Sequence, residues 1–134
     1  MDEVKKQELI RVAVEARKKA YAPYSKYQVG AALLGKSGRI FSGCNVENAS
    51  FGATICAERT AAVKAVSEGE TGFIALAVAT DGKEPGAPCG ICRQFLAEFG
   101  VDLIMILINL DGKKIETTLD QYLPGAFVPA SLNS

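Results

Sequence analysis

Apolar residues recur at Leu9, Ala13, Ala16 and Ala20, steps of four, three and four that fall on one stripe of a helix over residues 3–20. Lysines and arginines occupy its other faces and gather toward its end, where they suit the helix dipole, and Pro23 closes the segment. Residues 27–34 alternate imperfectly and include the small Gly30, Ala31 and Ala32, which predicts a strand. Gly35-Lys36-Ser37-Gly38 is turn chemistry, and residues 39–42 return as a second strand. This hairpin delivers Gly43-Cys44-Asn45-Val46-Glu47-Asn48 as a polar loop, a usual place for binding residues.

The period lengthens again over residues 56–67. Ala61, Ala62, Ala65 and Val66 form the apolar face of a second helix, Thr54 is placed to cap it, and Gly69 and Gly72 end it. Phe73–Thr80 is nearly all apolar and reads as a buried strand. A Gly/Pro loop over 81–87 leads through Pro88 into a helix over 90–99, striped by Ile91, Phe95, Leu96 and Phe99 and stopped by Gly100. Residues 102–109 are the most apolar strand and are expected at the centre of a sheet. Asp111-Gly112 signals a tight hairpin, so residues 113–117 should return antiparallel. At 134 residues, with no repeat or linker, one domain over residues 1–134 is expected.

Composition removes several classes of function. The formal net charge is zero and no long Lys/Arg run occurs, so the electrostatic footprint of a nucleic-acid binder is missing. Asp2, Glu3, Lys5 and Lys6 put charge where a signal peptide needs apolar residues. The strongest apolar run, 103–108, is too short to cross a bilayer. Four cysteines do not make a disulfide scaffold in a chain of this size. A reduced, cytoplasmic protein without membrane partners is expected, its thiols free to bind metal.

Three of those cysteines sit in two short stretches, Thr54-Ile55-Cys56-Ala57-Glu58-Arg59 and Pro88-Cys89-Gly90-Ile91-Cys92-Arg93. Thiolates at C-x-x-C spacing suit Zn²⁺, and a third cysteine upstream gives three ligands. Three protein ligands leave one tetrahedral position open, the mark of a catalytic zinc. The chain has no histidine, so sulfur must hold the metal and Glu58 is the candidate proton carrier. All three cysteines fall at helix starts, where the dipole and free N–H groups favour thiolates. Three thiolates on Zn²⁺ sum to a formal −1, and Arg59 and Arg93, each one step beyond a motif, are placed to draw charge off sulfur. Cys56 and Glu58 point about 200° apart in a regular helix, so both face one metal only if it lies off the helix end.

Three other readings use the same residues. A closed structural zinc would take Cys44 as a fourth ligand, although Cys44 has no C-x-x-C partner. A thiol–disulfide enzyme would use Cys89 and Cys92 alone and leave Cys56 and Glu58 without a role. A binding module without activity would make Glu58 a dipole-favoured surface residue.

The stretches Cys56-Ala57-Glu58-Arg59-Thr60, Pro88-Cys89-Gly90-Ile91-Cys92-Arg93-Gln94 and Gly43-Cys44-Asn45-Val46-Glu47-Asn48-Ala49 resemble the zinc-dependent cytidine deaminases of the small homotetrameric type, within the cytidine and deoxycytidylate deaminase family. Tyr21-Ala22-Pro23-Tyr24-Ser25 and Leu123-Pro124-Gly125-Ala126-Phe127 extend the resemblance over about residues 8 to 128. It implies an α/β fold, a three-layer αβα sandwich around a five-stranded mixed sheet whose last strand pair is antiparallel. It implies hydrolytic deamination of cytidine and 2′-deoxycytidine to uridine and 2′-deoxyuridine in pyrimidine salvage, by a zinc-activated water with Glu58 as proton shuttle. Deamination of a related aminopyrimidine nucleoside such as blasticidin S is the neighbouring possibility. Asn45 and Glu47 are similar to the family's ribose-binding pair, Ala57 lies at its substrate site, and Tyr27 stands where relatives carry a base-stacking phenylalanine. Phe51 and Phe127 resemble aromatics that relatives lend to a neighbouring subunit, which implies a homotetramer with shared sites acting on a small pyrimidine nucleoside.

Overall fold

The computed structural model describes residues 1–133. Helix α1, Glu3–Arg17, starts where the Asp2 carboxylate accepts the Lys5 amide at 2.8 Å and buries Leu9 and Ala13. It ends earlier than its apolar period suggests, because the next residues have other partners. Tyr21 pairs with the 45–47 loop, donating its amide to Asn45 O at 2.9 Å and accepting the Glu47 amide at 2.8 Å.

Strand β1, Gly30–Gly35, is also shorter at its start than the expected 27–34. The backbone of residues 27–29 leaves the ladder for the Asn45 side chain, which donates to Tyr27 O at 2.8 Å and accepts the Val29 amide at 2.9 Å. Strand β2, Ile40–Cys44, runs two residues further than expected, pairing Gly43 with Ala31 and Cys44 with Gly30. Helix α2, Ala57–Ser67, strand β3, Phe73–Thr80, and helix α3, Gly90–Ala97, follow. Strands β4, Ile104–Asn109, and β5, Lys114–Thr118, lead into the short helix α4, Leu119–Tyr122.

The sheet has the order β2-β1-β3-β4-β5; β3 and β4 are parallel and every other pair, β4–β5 included, is antiparallel. The expected five-stranded mixed sheet with helices on both faces is therefore present. One detail changes: β3, not the more apolar β4, is the middle strand. Apolar runs report burial on both faces, which β1, β3 and β4 share, and so do not rank the interior strands.

Helix α1 packs on one face, over Ala32, Leu34, Ala75, Ala77, Ile106 and Ile108. Helices α2 and α3 cover the other, over Leu33, Leu76, Val78, Met105 and Leu107. Two glycines let helices close on the β1–β2 pair. A Cβ on Gly30 would stand 2.0 Å from Ala13 O, and one on Gly43 would stand 2.5 Å from Ala61 N and 2.6 Å from Ala57 O. The second contact seats the first turn of α2 directly on the sheet. At the end of β4, the buried Asn109 binds four backbone groups. Its Nδ2 donates to Gly82 O at 3.3 Å and Lys83 O at 2.8 Å, and its Oδ1 accepts the Asp111 amide at 3.1 Å and the Lys113 amide at 2.9 Å. Among the described residues, no helix is long and apolar enough to cross a membrane.

Candidate active site

Cys56 and Cys89 occupy matching positions, each the residue before a helix, each with extended backbone and no capping bond from its side chain. Both sulfurs are thus free to face the gap between the two helix starts. Cys92 lies in the first turn of α3, and the three Sγ atoms lie within 4.8 Å of one another, with Cys56 and Cys89 3.6 Å apart. Among the described residues this is the one group of three ligating side chains. Because Cys56 precedes α2 in extended backbone, the divergence of positions i and i+2 in a helix does not apply, and Cys56 and Glu58 line the same cleft. Thr54 does not cap α2; its hydroxyl accepts the Asn48 amide at 3.1 Å and braces the preceding loop.

Donor chemistry suits zinc: three soft sulfurs converge at two helix N-termini with no imidazole to compete. Cys56 is held down at about 5, chiefly by the hydrogen bond from Cys92 and further by Arg59 and Cys89, against burial. Cys92 is pushed up by the same hydrogen bond and by burial. Metal binding takes all three sulfurs as thiolates, so it releases the protons they still carry. Cys44 stands apart, at the end of β2 in a separate hollow of about 280 Å³ that Arg11, Lys19 and Lys64 line. The closed four-cysteine site is therefore not built.

Of the two arginines, Arg59 reaches sulfur, with Nη2 3.7 Å from Cys56 Sγ and 3.2 Å from Thr54 O. Arg93 does different work from that expected: its Nε donates to Pro88 O at 2.7 Å and its Nη1 to Tyr122 O at 3.0 Å, with the guanidinium over the Tyr122 ring. It fastens the residue before Cys89 to α4 and so holds the zinc loop in place.

Glu58 is 4% exposed beside the sulfurs. Burial, and then the negative Cys56, lift its carboxyl to about 7, so it can hold or release a proton near neutrality. Ala57 is fully buried next to it in the wall of a cleft of about 260 Å³, the scale of a small-molecule site. Asn45, Glu47 and Tyr27 line the other end. The Asn45 amide fixes the Tyr27–Val29 backbone, while Glu47 accepts the amides of Tyr24 at 3.0 Å and Ser25 at 3.1 Å and the Ser25 hydroxyl. That hydroxyl bond, with the two amides, holds the Glu47 carboxyl below its ordinary range.

Phe51 and Phe127 stand outside the core, 74% and 59% exposed. Phe51 meets Tyr24 edge-on at 5.9 Å. Leu123, Ala126 and Val128 pack against the core while the Phe127 ring turns outward, its carbonyl fixed by Gln94 Nε2 at 2.8 Å. Sequence reasoning passed over Ser25, Thr80 and Gly86, all in the cleft lining. Thr80 and Gly86 had a usable signal, since they lie at and just beyond the carboxyl end of a parallel strand, where α/β proteins place their sites; Ser25 had one as well, closing the Tyr21–Ser25 stretch of the resemblance, which gave it no role of its own.

The comparisons with known proteins agree with this geometry. The family model described as the cytidine and deoxycytidylate deaminase zinc-binding region matches residues 3–108. Over 129 residues the chain is 51% identical to a cytidine deaminase of Halalkalibacterium halodurans, covering 96% of this chain and 98% of that one. It is 44% identical over 128 residues to a probable cytidine deaminase of Dictyostelium discoideum, covering 95% and 86%. Its fold superimposes with a TM-score of 0.89 on the crystal structure of a cytidine deaminase from Burkholderia pseudomallei, at 46% identity, covering 95% of this chain and 100% of that one.

Proposed function

Since this chain belongs to the cytidine and deoxycytidylate deaminase family, with zinc as its cofactor, we propose that it hydrolyses cytidine and 2′-deoxycytidine to the corresponding uridines in the cleft over Cys56, Cys89 and Cys92. The observation that carries this reading is the buried Glu58 carboxyl beside three converging sulfurs. Residues 1–134 act as one catalytic domain.

Zinc bound by the three cysteines supplies Lewis acidity, which brings the pKa of water toward neutrality. Every proton movement falls to Glu58. Its carboxylate takes a proton from the attacking water and passes it to pyrimidine N3 as the oxygen bonds to C4. It then carries the proton of the new C4 hydroxyl to the amino group, the C4–N bond breaks as the C4 carbonyl forms, and ammonia leaves. Burial keeps bulk water from discharging the carboxyl between these transfers. Arg59 draws charge off Cys56, which offsets the formal −1 of three thiolates on the metal. Arg93 positions Cys89 through Pro88.

At the far end Glu47 and Asn45 meet the ribose hydroxyls and Tyr27 covers the base. The Glu47 carboxylate repels phosphate, so nucleosides are preferred over nucleotides and polynucleotides. The exposed Phe51 and Phe127 reach neighbouring sites in a closed homotetramer. Such an enzyme works in the cytoplasm in pyrimidine salvage. Metal analysis with an absorbance assay of cytidine conversion tests the reading. One zinc per chain with turnover of cytidine and little of CMP is expected; zinc-loaded protein that leaves cytidine unchanged overturns it.

A further inference from the structure

The Glu47 carboxylate is gripped at both oxygens. Its Oε1 accepts the amides of Tyr24 at 3.0 Å and Ser25 at 3.1 Å, and the Ser25 hydroxyl donates to Oε2. The two amides alone would act as a pivot, pinning Oε1 while the rest of the group turned about it. The hydroxyl on Oε2 removes that freedom. A carboxylate offers about four acceptor positions, so these three donors leave one, on the oxygen that Ser25 holds. Ser25 Oγ in turn accepts the Tyr27 amide at 3.0 Å, and Tyr27 O accepts Asn45 Nδ2 at 2.8 Å. One hydroxyl thus joins Tyr27, Asn45 and Glu47 into a single chain of bonds, and all four residues line the cleft that holds Cys56 and Glu58. The backbone is shaped for this. Lys26, with φ 61°, is among the described residues the one non-glycine in the left-handed region, and its amide returns to Ala22 O at 3.1 Å. That turn curls Tyr24 and Ser25 around the carboxylate, a conformation lysine keeps only where surrounding bonds hold it.

We propose that Ser25 is a positioning residue of the nucleoside site: its hydroxyl fixes the direction in which Glu47 offers its remaining acceptor position, so Ser25 sets affinity for the sugar without touching the chemical step. The inference rests on the deaminase reading above, in which Glu47 meets a ribose hydroxyl. A carboxylate already held in place loses no orientational freedom when that hydroxyl arrives, and affinity gains by what is saved. Ser25 stands at the loop end of the cleft, away from the sulfurs, and takes no part in the proton transfers of Glu58. Its loss should therefore appear in binding of the sugar and in nothing else.

The test measures KM and kcat for cytidine, and the inhibition constant of 2′,3′-dideoxycytidine as its competitor, in zinc-loaded wild type, Ser25→Ala, Ser25→Val and Ser25→Thr. Ser25→Ala and Ser25→Val should raise KM for cytidine by about three- to tenfold, the reach of one hydrogen bond, and lower kcat by less than about twofold. The dideoxy compound has neither the 2′ nor the 3′ hydroxyl, so its inhibition constant should stay within about twofold of the wild-type value. Ser25→Thr keeps the hydroxyl and should restore KM; it matches Ser25→Val in shape, so the difference between the two isolates the hydrogen bond, and the exposed position has room for either. In a Glu47→Ala background, Ser25→Ala should add nothing, because the group it holds is gone. Zinc content and thermal melting check that the variants fold. An unchanged KM in Ser25→Ala and Ser25→Val, an equal change for cytidine and the dideoxy compound, or an effect that persists in full without Glu47 overturns the proposal. Zinc-loaded wild type that fails on cytidine itself takes down the deaminase reading as well.

Discussion

The two ends of the cleft are held by different kinds of structure. At the sulfur end, Cys56, Glu58, Cys89 and Cys92 stand on or directly before two helices that are packed on the sheet. At the loop end, Tyr27, Asn45 and Glu47 belong to irregular segments tied together by side chains across 16 to 23 residues of sequence. Helix starts fix a side chain through short-range geometry, whereas the loop end depends on a few hydrogen bonds and has the exposed Phe51 beside it. Damage at the first end should therefore abolish chemistry, and damage at the second should weaken binding.

The largest effect should come from Cys92→Ala. Zinc content and turnover should both fall to background, while Cys44→Ala keeps both, and metal analysis of the pair decides whether the sulfur end is a three-cysteine site. Glu58→Gln comes next. It keeps zinc and fold, but an amide cannot carry protons, so kcat should drop by about 10²–10⁴-fold or more; a loss under tenfold would separate Glu58 from the chemistry. Asn45→Ala sharpens the contrast, because it leaves Tyr27 O and the Val29 amide without their partner. It should cost about 2 kcal/mol in thermal or denaturant unfolding and raise KM more than it lowers kcat. The smallest change should be Phe127→Ala, which raises KM by about five- to tenfold through loss of an aromatic contact and leaves zinc in place. Sedimentation at assay concentration should show weakened assembly, and a fully active wild-type monomer would remove the shared site.

The same contrast governs what could be read from the chain. Cys56, Cys89 and Cys92 were legible because ligand spacing and helix starts are both local features. So was the sheet, since Asp111-Gly112 announces the antiparallel pair that β4 and β5 make. Boundaries failed where distant side chains override local preference. Residues 27–29 carry a strand-like pattern, yet Asn45 takes their backbone groups. The apolar period of α1 continues past Arg17, yet Tyr21 is drawn to the 45–47 loop. Arg93 could not be told apart from Arg59 for a related reason: its neighbourhood in sequence is Cys92, but its partners are carbonyls five and twenty-nine residues away.

Asn109 has a consequence for how the molecule opens. Its one side chain joins the tip of the β4–β5 hairpin to residues 82 and 83 of the loop that runs on to Gly86 and Cys89. Neither segment can peel away without breaking bonds to the other. In hydrogen exchange, the Asp111 and Lys113 amides at the hairpin tip and the Gly86 amide in the cleft wall should behave as one cooperative unit with a common opening free energy. In Asn109→Ala the two segments should part company, with the hairpin tip exchanging faster and independently of Gly86.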